Sequence, residues 1–368
     1  MSVLGVGLVG LSADATWASL AHLPAIREVP TLELRAVCGR SLARAQAAAT
    51  VHRVPMAFAN PAAMAVDSDI DLVVVAVRVS RHAEVVRSML PSGTAVLCEW
   101  PLARDVREAA ALVDVAEPRP MFVGMHGRCA PALRHVRELV EQGYVGEVLS
   151  TSAVVSSTSW GGAMAQAGVY MLNPEEGATV VSVTLAHLLD AVDMTLGPLV
   201  SVSARSSIRR PWVVVRETGE RVRKGVPDNV ALHGVLEGGA VCSVHLRAGI
   251  TGGTVLLWEI KGSEGDLTIT GRHGNVQYGE LVVSGSRHGA PYERIELPRV
   301  YTELRSGGLH TSPLVHVYDR LGHDLASGCG QVADFAHALR LHRTIDAIER
   351  SARQGAQPMD VSSVSGTC

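Results

Sequence analysis

Aromatic residues are scarce, at 4% of the 368-residue chain, so its cores must be built from Ala, Val and Leu. Short aliphatic side chains of that kind suit parallel sheets covered by helices. The six cysteines, Cys38, Cys98, Cys129, Cys242, Cys329 and Cys368, lie far apart with no C-x-x-C pair. Clustered ligands for structural zinc are therefore missing, and scattered thiols read as small buried residues in a reducing compartment. No basic block recurs. The formal net charge is -3, and the nearest cluster, Arg205 to Arg223, carries acidic residues in its second half. Nucleic acid needs a basic face, so no such partner is expected. No run approaches roughly 18 apolar residues, so no transmembrane helix is expected. The first ten residues, MSVLGVGLVG, have neither a basic start nor a cleavage site. They read as a strand rather than a signal peptide, and the expected location is cytoplasmic.

What is present fits a folded globular chain: 47% of residues are hydrophobic and 19% charged. The length allows two domains of ordinary size. In the first third, apolar runs at Val3–Val9, Leu32–Cys38, Asp71–Arg78, Ala95–Glu99 and Met121–Met125 alternate with helical stretches. Strand and helix alternating through short connections signal a doubly wound parallel sheet, the Rossmann arrangement. After a helix over Ala132–Gln142 the pattern changes to clustered strands with Gly-rich turns, from Val148–Ser156 to Leu281–Ser284. Between them, Val180–Thr195 reads as helical. The expected fold class is α/β at the N-terminus, followed by an α+β domain with an open-faced, largely antiparallel sheet. The domains are expected at 1–125 and 126–368. A helix over Gln331–Gln354 closes the chain, and the tail after Gln357 is expected to fray.

A literal G-x-G-x-x-G falls at Gly5, Gly7 and Gly10, but only four residues precede Gly5. Taking Gly10 as the tight turn leaves a normal strand before it, and the fingerprint then reads Gly10, Ser12, Ala15. Small residues there let the backbone approach a pyrophosphate at a helix N-terminus. A strand of packed glycines is the alternative. At the end of the second strand an NAD site wants a carboxylate for the ribose. This chain has Gly39, Arg40 and Ser41, with Arg44 one turn onward. Guanidinium and hydroxyl groups suit a 2′-phosphate, favouring NADP with NAD still possible; a solvated basic helix start is the other reading.

Several segments together resemble the glucose–fructose oxidoreductase, inositol dehydrogenase and MocA family. They are VGLVGLS at the start, DLVVVAVRVSRH at Asp71–His82, CEWPLA at Cys98–Ala103, and VGMHGRCAPALRHVRELVEQGYVGEV. Next come VTLAHLLDAV around His187, KGSEGDL, and ADFAHALRLHRTIDAIERSARQG. They span nearly the whole chain in the family's order. The resemblance implies a Rossmann domain, a nicotinamide dinucleotide, a small-molecule substrate, and a dimer or tetramer built through the second-domain sheet. The cofactor-contacting set it implies is Gly10, Leu11, Ser12, Gly39, Arg40, Ser41, Arg44, Ala76, Val77, Arg78, His82, Glu99, Trp100 and Arg128.

The departures matter as much. Trp100 stands where the family has its catalytic Lys, and Val183 where it has an Asp; His187 and Asp190 match. Tryptophan cannot exchange a proton as lysine can, offering instead a flat apolar wall and one N–H. This combination, with Trp17, His22-Leu23-Pro24-Ala25-Ile26 and Val226-Pro227-Asp228, resembles the branch that holds the fungal galactose-regulon repressor. The catalytic candidates are His187, Tyr170 and Trp100, with Glu176 as a further proton donor and Arg128 as a substrate or interdomain contact. Each has a packing or surface alternative. His126, His233 and His245 lack ligand spacing, so no metal is assigned.

Three functions compete. The preferred one is hydride transfer to or from a carbonyl, enone or imine of a sugar-like or secondary-metabolite substrate. A non-catalytic dinucleotide sensor and a non-redox enzyme on the same scaffold are the alternatives.

Overall fold

The computed structural model describes residues 3–116, 119–249, 252–278, 281–301, 311–328, 330 and 332–362. The chain divides into two compact units, Met1–Cys129 with Leu304–Leu339, and Ala130–Glu303 with Arg340–Cys368.

The first unit alternates β1 (Leu4–Val9), α1 (Leu23–Glu28), β2 (Leu32–Cys38), α2 (Leu42–His52), β3 (Met56–Phe58) and α3 (Pro61–Ala65). It continues with β4 (Leu72–Val75), α4 (His82–Met89), β5 (Ala95–Cys98), α5 (Val106–Ala116) and β6 (Met121–Val123). The six strands pair in parallel in the order β3-β2-β1-β4-β5-β6. All four residues of β4 (LVVV) and of β5 (AVLC) are buried, as expected for strands covered on both faces. Strand order reverses between β1 and β4, so the crevice that such sheets use for ligands opens at the carboxyl ends of these two strands. β4 is shorter than the Asp71–Arg78 run suggests. Ala76 to Arg78 leave the sheet as a turn, after Ala76 N donates to Val9 O at 3.0 Å.

The second unit opens with α6 (Pro131–Glu141), β7 (Val148–Ser157), β8 (Ala163–Met164), α7 (Ala186–Leu196) and β9 (Leu199–Ser207). It continues with β10 (Trp212–Val215), β11 (Arg221–Arg223), β12 (Asn229–Leu236), β13 (Val241–Ala248) and β14 (Leu256–Gly262). Then follow β15 (Gly265–Gly271), β16 (Leu281–Arg287), β17 (Glu293–Ile295) and, far downstream, β18 (Met359–Asp360). Nine strands form a mixed sheet, β17-β16-β15-β14-β7-β13-β12-β9-β18, antiparallel except for the β7–β13 pair. Strict alternation of buried and exposed residues in β12 and β13 gives this sheet one covered and one open face. β8, β10 and β11 make a separate small sheet.

α8 (Thr311–Ser327) and α9 (Phe335–Arg353) complete the fold. A linear division at residue 125 does not describe it, because α8 returns to the first unit. Leu314, Val315, Val317, Tyr318 and Leu321 of α8 join the core formed by β1, β2, α1 and α2. Val123 N also donates to Ala333 O at 2.8 Å, continuing the sheet edge at β6. The tail beyond Gln357 is likewise more ordered than expected: Met359 and Asp360 pair with Val202 and Ser201 of β9. Cys368 and the rest of 363–368 lie outside the described residues. One stretch, Pro174–Leu196, has the length and composition of a membrane span, although it is not an unbroken apolar run. Its apolar window is 78% buried inside the protein, as in a core helix.

Candidate functional site

The crevice of the first unit is built around Gly10. Its φ of +103° is left-handed, and a Cβ there would lie 2.4 Å from the Ala76 carbonyl oxygen. Only glycine lets these two turns meet so closely. Gly5 and Gly7 sit inside β1, where an added Cβ would strike Asp69 O at 1.8 Å and Met64 Sδ at 2.8 Å. Those two glycines serve strand packing, and the tight turn is at Gly10. Ala15 does not play the third small residue of the fingerprint. It is exposed in the segment before the helix, and Ala18, Ala21 and Ala25 pack the helix instead. Leu11 is buried, while the Ser12 carbonyl accepts from His52 Nε2 at 2.7 Å.

At the end of β2, Gly39 N donates to Phe58 O, and the Ser41 hydroxyl caps α2 by accepting from Arg44 N at 3.4 Å. That cap is the local reason for a helix start here. Arg40 and Arg44 are exposed, and among the described residues neither side chain forms an ion pair. Two unpaired guanidinium groups thus stand beside the tip of the strand that meets the adenosine ribose in dinucleotide-binding folds.

β4 and β5 end at a stitched corner. His82 is buried, with Nε2 3.0 Å from Val77 O and Nδ1 2.9 Å from Pro101 O. Burial lowers its pKa, so the neutral ring donates to one carbonyl at a time. His82, expected either among the cofactor contacts or as a packing residue of its helix, ties two turns together through both ring nitrogens. Trp100 is 6% exposed. Arg78 and Arg128 flank the same strand ends, Arg128 half-buried in the turn over His126–Cys129.

Glu99, also expected among the cofactor contacts, is held from several sides. Its Oε2 accepts from Trp17 Nε1 at 2.9 Å, and its Oε1 accepts from His126 Nε2 at 2.9 Å. His22 Nε2 lies 3.3 Å from the same Oε1, and His22 Nδ1 is 2.6 Å from the Tyr318 hydroxyl. Both carboxylate oxygens therefore already accept from the protein. Burial alone would raise its pKa, but His126 and then His22 outweigh burial and hold it well below the usual carboxylate range. Burial together with the Glu99 charge pushes the Tyr318 phenol up. The Trp17 ring lies 12° from parallel to His126 and 88° to His22, at 6.1 Å from each. It follows Gly10 by one loop and leads into a wide turn over Ala18–His22, closed by Leu23 N on Ala18 O. Such widened turns occur often at functional sites. Gly124 completes the packing, since a Cβ there would stand 2.5 Å from Glu99 Oε1.

The remaining candidates belong to the second unit. His187 and Asp190 are buried on α7, directly after a second wide turn at Val181–Leu185. Tyr170 lies half-buried on a short turn over Gln166–Leu172, and Glu176 follows on the next turn. A buried clasp holds this segment. Lys224 Nζ donates to Asp228 Oδ2 and to Trp160 O, both at 2.8 Å, and Trp160 Nε1 donates to Met171 O at 3.2 Å. Gly225 N grips Leu172 O at 2.9 Å from the other side.

Sequence reasoning missed His22, His126 and Tyr318 as one cluster. No spacing signals it, because Trp17, Glu99, His126 and Tyr318 meet only through the ends of β1, β5 and β6 and through α8.

Comparison with known proteins bears on this geometry. Residues 4–126 match the model of the oxidoreductase family with an NAD-binding Rossmann fold, and residues 131–271 match that of the Gal80p C-terminal domain. The chain is 30% identical over 283 residues to the dehydrogenase aclE of Aspergillus oryzae, covering 72% of this chain and 76% of that one. It is 28% identical over 312 residues to the galactose/lactose metabolism regulatory protein GAL80 of Saccharomyces cerevisiae, covering 77% and 70%. A crystal structure of a super-repressor mutant of Gal80p from the same yeast superposes with a TM-score of 0.88, at 24% identity and 98% coverage of both chains.

Proposed function

The chain belongs to the oxidoreductase family with an NAD-binding Rossmann fold, and on that premise we propose that it is a dinucleotide-binding regulator whose output is occupancy rather than turnover. One observation carries this reading. Trp100, which the family resemblance puts in the place of a lysine, is buried, and the neighbouring Glu99 carboxylate is held by Trp17 and His126. A general acid or base must be able to exchange a proton with substrate, and neither group can. The likeness to GAL80 supports the same reading.

The residues present fit a dinucleotide. The Gly10 turn leaves bare backbone where a Cβ would collide, and Arg40 and Arg44 suit a 2′-phosphate, favouring NADP over NAD. When bound, the nicotinamide supplies hydride chemistry; the chain itself binds, orients and walls. A second copy is the proposed cover for the open sheet face, whose cross-strand rows run Leu257–Val154–His245–Ala231 and Glu259–Ser152–Ser243–His233. A depression of 340 Å³ lies along these rows. Val235 and Val241 add exposed apolar surface to the same face, of the sort that a partner covers.

A second reading is favoured by the likeness to a named dehydrogenase. It is hydride transfer to or from a carbonyl, enone or imine of a sugar-like or secondary-metabolite substrate, with His187, Tyr170 or water supplying the proton. Calorimetric titration with NADPH and NADH, followed by turnover assays over a panel of sugars, ketones and enones, separates the two. Uptake without substrate-dependent change in the nicotinamide is expected. Substrate-dependent oxidation of NADPH overturns the regulator reading, and no uptake of either nucleotide in either redox state removes both.

A further inference from the structure

Residues 205–223 hold six arginines against two glutamates, in a chain whose formal net charge is -3. Most of this segment folds into the β10–β11 hairpin of the small sheet. β10 alternates exposed and buried, which puts Trp212 and Val214 on the outer face. Arg223 and Arg221 stand directly across from them. The Arg221 guanidinium lies 5.3 Å over the Trp212 ring, and Trp212 is 49% exposed.

Ladder parity shows where the main chain of β11 points. Lys224 N donates to Pro211 O at 2.9 Å and Val215 N to Glu220 O at 2.8 Å, so these pairs are the hydrogen-bonded ones. Alternation then makes Trp212–Arg223 and Val214–Arg221 the non-bonded pairs. The N–H and C=O groups of Arg221 and Arg223 consequently face away from β10. β11 is the last strand of its sheet among the described residues, so they face an edge that no described strand pairs. Glu217 is occupied by Gln166 N at 2.8 Å, and among the described residues Arg209, Arg216, Arg221 and Arg223 form no ion pair.

We propose that this edge is a docking strand for an extended acidic segment of a protein partner. An edge lined with arginine repels a second copy of itself and admits a strand of opposite sign. Main-chain bonds to Arg221 and Arg223 supply affinity, as in other strand additions. Carboxylates at alternate positions of the added strand meet the two guanidinium groups, and the apolar residue between them lies on the Val222 side. Arginine with an exposed tryptophan is also the composition of interface hot spots.

The test uses the full chain and a fluorescein-labelled peptide of about ten residues alternating Glu and Val. Comparators are the same peptide with alternate amides N-methylated, its Lys-for-Glu counterpart, and a single-stranded oligonucleotide of equal charge. Saturable anisotropy is expected with the acidic peptide only. Arg221→Glu with Arg223→Glu should weaken it by at least about tenfold, and N-methylation by as much. The exposed control Arg107→Glu should leave it unchanged. Should the reversal pair melt early, Arg221→Gln with Arg223→Gln takes its place and should still weaken binding several-fold. Equal binding of the oligonucleotide or of the N-methylated peptide reduces the patch to general attraction for anions and overturns the proposal, as does no binding at all.

Discussion

The indole nitrogen of Trp17 donates to the Glu99 carboxylate at 2.9 Å, across 82 residues of sequence. One residue follows the Gly10 turn and the other directly follows β5, so the bond fixes the first loop of the crevice against the end of a strand two places away in the sheet. Glu99 is in turn fixed by His126, and His22 links the cluster to Tyr318 on α8. The carboxylate that precedes Trp100 is thus a positioning group for the Trp17–His126 aromatic pair.

Removing that carboxylate takes away the acceptor that the Trp17 indole and the buried His126 ring share, and the charge that faces His22. Glu99→Ala should cost about 3–5 kcal/mol, the usual penalty for breaking one side of a buried charged network. Glu99→Gln keeps one acceptor and should cost about 1–3 kcal/mol. Denaturant midpoints measure both. Dinucleotide affinity should fall at least about tenfold in Glu99→Gln if Trp17 shapes the pocket. A destabilised variant with unchanged affinity would confine the cluster to a structural role.

The proposed preference for NADP rests on Arg40 and Arg44. Arg40→Ala with Arg44→Ala should weaken NADPH by at least about tenfold and leave NADH within about twofold, because charge-assisted bonds to a phosphate are lost only where the phosphate exists. Calorimetry with both nucleotides reads the ratio. Equal losses would mean that the arginines act on the pocket as a whole.

Much of the first unit was legible because short, fully apolar runs such as Leu72–Val75 leave few alternatives to a buried parallel strand. The β2 strand ends match the apolar run at Leu32–Cys38. α8 escaped detection because Pro313 and Gly322 interrupt an otherwise apolar face, and its packing partner α1 lies almost 300 residues earlier. β10 and β11 were hidden by brevity, since runs of four and three residues carry little periodicity. His82 shows a different limit. Its place in a motif left ligand contact and helix packing both open, and only the two facing carbonyls show where its nitrogens go.

The two glycine registers make opposite predictions. Gly10→Ala places a Cβ against the backbone oxygen of Ala76 at a left-handed φ, neither of which can yield cheaply. It should cost at least about 1–3 kcal/mol and abolish dinucleotide uptake. Gly7→Ala meets the flexible Met64 sulfur. It should cost about 1–3 kcal/mol of stability with affinity unchanged. Equal effects on affinity would return the fingerprint to the literal Gly5-Gly7-Gly10 match.

Acid should loosen the second unit through Asp228. Its carboxylate is fully buried and accepts from Arg209 N, Arg210 N and Lys224 Nζ at 2.8 Å and from Asn229 Nδ2 at 2.9 Å. Burial works to raise its pKa, but the Arg209 N–H, the Lys224 ammonium and the other donors outweigh it and bring it down to about 2. The folded value lies below the unfolded one of roughly 4. The contribution is therefore complete above about pH 4 and drains away as pH falls towards 2. Wild-type thermal midpoints should drop across that window. Asp228→Asn, which has no charge to lose, should start lower at pH 7 and show a flatter acid limb. Because the Lys224 clasp holds Trp160 and hence the Tyr170 turn, the same variant should show that turn more open to proteolysis. Parallel acid limbs in the two proteins would locate the acid sensitivity elsewhere.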